Sequence, residues 1–238
     1  MREISIRAKV PAAILFAVMI IFSLYIQKQQ REDVQTVQTA DEAAVQNGAG
    51  YGSVPRRIAL TFDDGPHPIY TETLLEGLKE RGVKATFFVV GENIPGHEEL
   101  ISRMAAEGHV IGNHTYDHAD ISRMSSEKAC EELEKTSRLV EEITGNGTAY
   151  VRPPFGNWDD SLDGMVTMLA VKWTIDPLDW TTANTAQIVE RVVSKASEND
   201  IILLHDYYAS SVEAALQIVD ILKQRGFEFV TVEELLLE

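Results

Sequence analysis

From Ile58 onward, short runs rich in β-branched and aromatic residues alternate with stretches of helical periodicity. The runs fall at 58–62, 85–90, 109–112, 150–152, 170–175, 201–204 and 227–230. Helical patterns fill 71–81, 98–107, 126–144, 185–196 and 212–225, and Gly82, Gly108 and Gly145 stop the first three. Such alternation implies an α/β fold with a parallel sheet. No glycine-rich nucleotide loop opens the first helix, so seven strands favour a distorted (β/α)7-type barrel over an open doubly wound sheet. In a barrel of that kind, chemistry belongs to the loops behind the C-terminal strand ends.

The first 54 residues do not share this pattern. Arg2, Arg7 and Lys9 precede an apolar run of 17 residues, Val10 to Ile26, closed by Lys28 and Arg31. The length just reaches a bilayer span, and the basic flank places the N-terminus in the cytoplasm and the body outside. No A-x-A-like site follows closely, so residues 1–26 are expected to be an uncleaved transmembrane anchor, with a cleaved signal as the alternative. Residues 27–54 hold six glutamines and three glycines and are expected to be a flexible linker. Its reach is on the order of 30 Å. The folded domain is then 55–238. The net charge is −16; residues through Arg31 carry +4, so the remainder carries −20. So acidic a body argues against nucleic acid as a partner. The single cysteine, Cys130, excludes an intrachain disulfide framework and a multi-cysteine zinc site. No feature assigns an oligomeric state.

Each polar cluster follows a strand. Asp63 and Asp64 follow the first; adjacent carboxylates repel, and a cation or an arginine stabilises such a pair. An Asx-turn cap would explain one of them but not both. His114 and His118 follow the third strand, and on a helical turn the i, i+4 spacing would aim both at one metal ion. With Asp64 they make a two-histidine, one-carboxylate set that leaves positions open for water and substrate. Arg152, behind the fourth strand, has a guanidinium fork suited to holding a carboxylate, followed by the stiff sequence Pro153-Pro154-Phe155-Gly156. Asp176 and Asp179-Trp180 follow the fifth strand, and Leu203-Leu204-His205-Asp206 ends the sixth. His67, His97 and His109 are expected to serve turns and caps.

In that order, TFDDGP (61–66), H-T-x-x-H (114–118), R-P-P-F-G (152–156), D-W (179–180) and L-H-D (204–206) resemble the five motifs of the NodB-type polysaccharide deacetylases, carbohydrate esterase family 4. The resemblance covers about residues 57–238. It implies metal-dependent removal of N- or O-acetyl groups from a carbohydrate. By match, Asp63 is the base, and Asp64, His114 and His118 are the metal ligands. Arg152 orients Asp63, the Phe155 N–H serves the oxyanion site, and Asp179 tunes His205, the general acid. Leu203 and Trp180 line the acetyl-methyl pocket. Phe155 stands where tyrosine is common in the family. The stretch 156–180 is short for the family, so a stunted helix near 162–169 and a more open groove are expected.

These residues suit a divalent ion, zinc first, with cobalt, nickel, iron or manganese as alternatives. The expected substrate is an extracellular acetylated polysaccharide, peptidoglycan or a chitin-like N-acetylglucosamine polymer. The alternatives are an acetyl xylan esterase of the same fold and a catalytically silent glycan-binding module, the latter disfavoured because Asp63 and His205 are both present. A metal-dependent phosphoesterase would need a second His/Asp cluster, which the sequence lacks.

Overall fold

The computed structural model describes residues 55–237. The expected anchor and linker lie outside them. Among the described residues no helix is long and apolar enough to cross a membrane.

Strand β1 (Arg56–Asp63) is buried without interruption from Ile58 to Asp63. A strand covered on both faces belongs in the middle of a parallel sheet, and β1 has three parallel neighbours. It pairs with β2 (Thr86–Val89) along 61–63, with β6 (Ile201–His205) along 59–63 and with β7 (Phe227–Val230) along 56–59. Beyond β2 come β3 (Val110–Asn113), β4 (Tyr150–Val151) and β5 (Leu169–Ala170), giving the order β5-β4-β3-β2-β1-β6. The helices are α1 (Tyr70–Arg81), α2 (Glu98–Ala106), α3 (Ser126–Thr144), α4 (Thr185–Val193), α5 (Ala209–Gln224) and α6 (Val232–Leu236).

The expected barrel is present as a parallel half-barrel whose closure rests on one bridge, Ile175 to Ile202. The strand expected over 170–175 is cut short. After Ala170, the carbonyls of Val171 and Lys172 turn to Arg152 instead of a neighbouring strand. Thr174 then donates its N–H to the Ile201 carbonyl and its hydroxyl to Asp200, and the chain rejoins the sheet at Thr174 and Ile175. The stunted helix is a single 3-10 turn, Asp160–Leu162.

Alternation along β1 sorts its side chains into two environments. Ile58, Leu60 and Phe62 join the main core with Leu74, Leu75 and Leu78 of α1 and Ile218, Val219 and Leu222 of α5. Ala59 lies on the opposite, interior face, in a smaller cluster with Phe88, Tyr150, Val171 and Val232. Thr61 and Asp63 share that face by the same period of two, so the interior becomes polar toward the C-terminal strand ends. Helix α3 buries Ala129, Leu133, Thr136 and Val140, one stripe at helical spacing. Ser125 caps its start and Gly145 ends it at φ 81°, where a side chain would be strained.

Leu60 has no exposed surface, and Leu60→Ala should cost about 3–4 kcal/mol in denaturant unfolding through lost burial and a residual cavity. Arg138 pairs with Glu134 at 72% and 60% side-chain exposure, and Arg138→Ala should stay within about 0.5 kcal/mol.

Candidate active site

Two strand ends, those of β1 and β3, bring Asp64, His114 and His118 together. Oδ1 of Asp64 lies 3.5 Å from Nε2 of His114 and 3.5 Å from Nε2 of His118. One ligand atom from each residue falls within 4.8 Å of the other two. Ligands about 2.0–2.2 Å from a shared tetrahedral centre lie about 3.4 Å apart, so the spacing suits one ion. The same Asp64 Oδ1 is buried without a hydrogen-bond partner. An orphaned buried acceptor costs about 1–3 kcal/mol unless something satisfies it. Nδ1 of His114 lies 2.6 Å from the Arg152 carbonyl oxygen. That oxygen can only accept, so Nδ1 carries the proton and Nε2 turns a lone pair to Asp64. Burial holds the His114 pKa below its ordinary value despite Asp63 and Asp64 nearby, which keeps the ring neutral. The trio therefore fits a divalent cation.

The two histidines do not share a helical turn. His114 directly follows β3, and the chain reaches His118 through left-handed residues, Thr115 at φ 64° and His118 at φ 58°. The surroundings hold this loop. Glu132 of α3 accepts from the N–H groups of Tyr116 and Asp117. Thr136 donates to the Thr115 carbonyl, and Asn113 accepts from the Thr115 N–H.

Beside the trio, Asp63 is buried and its Oδ1 accepts from Arg152 Nη1 at 2.8 Å. The same nitrogen donates to Thr61 Oγ1 at 2.7 Å, and that hydroxyl in turn donates to the Ile202 carbonyl. His205 is the register partner of Asp63 on the neighbouring strand. Its Nδ1 lies 2.7 Å from Oδ1 of buried Asp179, and its backbone N–H donates to Oδ2. Burial opposes charge on His205, but the Asp179 hydrogen bond and the charges of Asp179, Asp63 and Asp64 outweigh it. They push its pKa up to about 9.

A cleft of about 460 Å³ joins these groups. Asp63, Asp64, His114, His118, Phe155, Trp180, Leu203 and His205 line it; Arg152 and Asp179 stand behind Asp63 and His205. Phe155 is 66% exposed, takes a left-handed φ of 61° and sets its ring edge-on to His118. Every residue singled out from the sequence is thus in one place. His67, His97 and His109 are engaged with backbone groups of turns and a strand start, as expected.

Thr61, Glu132, Tyr208 and Asp206 were not legible as site residues. Asp206 is fully buried beneath Gly65, where a Cβ would meet its carboxylate, and it accepts from Thr71. Burial pushes its pKa up to about 7. Its place beside His205 in the L-H-D motif is the sequence signal it carries.

Fold and rim together define a parallel half-barrel with a polar cleft at the C-terminal ends of its strands. Residues 51–172 match the family model described as polysaccharide deacetylase. The peptidoglycan-N-acetylmuramic acid deacetylase PdaC of Bacillus subtilis is 39% identical over 178 residues, which are 75% of this chain and 38% of that protein. The solved structure of PdaC superposes with a TM-score of 0.75 at 38% identity, covering 78% of this chain and 92% of that one. A chitooligosaccharide deacetylase of Bradyrhizobium is 34% identical, with coverage of 78% and 93%. A family 4 acetyl xylan esterase from Clostridium thermocellum, solved with a cobalt ion, gives a TM-score of 0.72 at 33% identity, covering 75% and 89%. The chain belongs to the polysaccharide deacetylase family, the NodB-domain proteins of carbohydrate esterase family 4. It spans less than two-fifths of the length of the Bacillus relative.

Two outcomes follow from this geometry. Glu132→Ala removes the clamp on the loop between the histidines and should weaken Zn²⁺ binding about 10–100-fold by calorimetry; His114→Ala should weaken it further. In the metal-free protein, NMR should find the His205 ring protonated at pH 7 and titrating near 9. In Asp179→Asn it should titrate well below that. Because the folded pKa lies above the unfolded value, the stability His205 contributes is complete below about pH 6.5 and is lost as pH rises toward about 9.

Proposed function

We propose that this chain removes N-acetyl groups from an N-acetylhexosamine polymer outside the cytoplasm, with peptidoglycan the leading substrate and a chitin-like polymer next. The observation that carries it is the pairing of Asp63 and His205 on adjacent strands, each with its own oppositely charged partner, around Asp64, His114 and His118. Those three would hold a divalent ion, zinc by preference. When bound, it lowers the pKa of a water toward about 7 and polarises the acetyl carbonyl.

The chain's own residues do the rest. Arg152 holds Asp63 aimed through its Oδ1, so the free oxygen takes the water proton. The Phe155 N–H donates to the developing oxyanion, a contact commonly worth about 3–4 kcal/mol. Leu203 and Trp180 receive the acetyl methyl. His205, kept protonated by Asp179, delivers a proton to the departing nitrogen. An amine leaves poorly without that proton, so a histidine held charged favours amides over esters. The relatives named for peptidoglycan and chitooligosaccharide deacetylation support the same substrate class. The apolar run at 10–26 would anchor the domain on the outer face of the membrane, and 27–54 would let it reach wall glycan.

Chelation should abolish acetate release from N-acetylglucosamine oligomers and peptidoglycan fragments, and Zn²⁺ or Co²⁺ should restore it; full activity after exhaustive metal removal overturns the mechanism. Asp63→Asn should keep its metal and lose at least about a hundredfold in kcat. His205→Ala should also keep its metal, and should lose far more on those amides than on an acetyl ester of an acidic phenol. Equal losses on the two would remove His205 as the leaving-group acid.

A further inference from the structure

Tyr208 lines the catalytic cleft and also a second groove, of about 440 Å³. Tyr70 at the start of α1, Thr185 at the start of α4, and Tyr207 and Glu213 near the start of α5 form its walls. An unbroken series of aromatic contacts leads into it from the catalytic histidine. The ring centroids of His205 and Tyr208 are 6.5 Å apart, Tyr208 and Tyr207 6.2 Å, Tyr207 and His67 4.9 Å, and His67 and Tyr70 4.3 Å. Tyr207 and Tyr208 remain 43% and 40% exposed. His67 has a structural duty, since its Nδ1 accepts from the N–H groups of Ile69 and Tyr70. Neither of these two rings is buried as packing would require; Tyr70 is half-buried, packed in part against the main core and stacked on His67.

Aromatic faces beside fixed hydroxyl and carboxylate groups match a pyranose ring, which offers an apolar C–H face and a rim of hydroxyls. Thr185 Oγ1 donates to Glu213 Oε2 at 3.2 Å, so a polar pair is already in place on the groove wall. Among the described residues no lysine or arginine lines the groove, which disfavours an anionic occupant.

We infer that this groove is a second sugar subsite, in which Tyr207 and Tyr70 carry a neighbouring ring of the same glycan whose acetyl group lies in the cleft. The occupant is a neutral N-acetylhexosamine unit, and its identity as part of the substrate rests on the function proposed above. The subsite should make the protein favour longer chains. Replacing one sugar-facing ring should cost about fivefold, the scale of a single aromatic contact.

The test compares the wild-type protein with Tyr207→Ala, Tyr207→Phe and Tyr70→Ala. For each, kcat/KM is measured on the hexamer and on the dimer of N-acetylglucosamine, and hexamer binding by calorimetry. In both alanine variants the hexamer-to-dimer ratio should fall about fivefold, chiefly through KM, and hexamer binding should weaken equally. Tyr207→Phe, which keeps the ring, should retain both. Ratios and affinities within twofold of wild type in both alanine variants overturn the subsite. If the wild-type protein releases no acetate from any glycan, the proposed function fails. The calorimetry then still decides the subsite: weaker hexamer binding in the alanine variants supports it, and unaltered binding overturns it.

Discussion

Everything on the catalytic rim leans on one guanidinium. Arg152 has no exposed surface, yet it donates to the Thr61 hydroxyl, the Asp63 carboxylate and the carbonyls of Val171 and Lys172, and lies over the Phe88 ring. Burial lowers its pKa, and Asp63 opposes the shift. Arginine stays charged even so, which makes the burial costly unless every partner is in place. Those partners come from β1 and from the segment after β5, so one side chain ties the central strand to the half-barrel's weak edge. Removing either Arg152 or Asp63 would strand a buried charge, a loss commonly of about 3–5 kcal/mol.

Backbone strain gathers around the same rim. Among the described residues, six other than glycine have positive φ, and five of them, Asp64, Thr115, His118, Phe155 and Leu178, belong to the site loops. Each such conformation costs on the order of 1–3 kcal/mol and survives only where the surroundings over-determine it. Glu132, Asn113 and Thr136 supply that over-determination for the histidine loop. A shared hydrogen-bond frame also links His114 to the arginine, because its Nδ1–H donates to the Arg152 carbonyl. Asp64, His114, His118 and Asp63 are therefore set in place by one network before any ligand arrives.

This division explains how much could be read from the sequence. Strands, helices and the residues at strand ends were legible, because hydrophobic period and chain adjacency are local. That His114 and His118 belong together was legible too, but not how they meet: the loop reaches its geometry through left-handed residues that α3 stabilises. Glu132 sits on a helix rich in charge and looks in sequence like part of a solvated face. Thr61 reads as one more β-branched residue of a buried strand; its hydroxyl matters only because Ile202, 141 positions away, accepts from it. The early end of β5 has the same origin, since it depends on which carbonyls Arg152 claims.

Four of the rim's carboxylates, Asp63, Asp64, Asp179 and Asp206, crowd into a small volume, which charge repulsion would forbid if all were treated alike. The fold gives them different environments. Asp63 faces Arg152, Asp179 faces His205, and Asp64 faces the two histidines that would share a cation with it. Of these four, Asp206 alone is in no ion pair, and burial pushes its pKa up to about 7, so near neutrality it need not add a fourth full charge. Asp63 and His205 stand on paired strands, each fixed from behind by a buried partner of opposite character, Arg152 and Asp179. Groups whose environments drive them apart in this way can accept a proton on one side of a bond and give one on the other. The parallel register of β1 and β6 keeps these two residues side by side, so the sheet itself sets the spacing between the proposed base and the proposed acid.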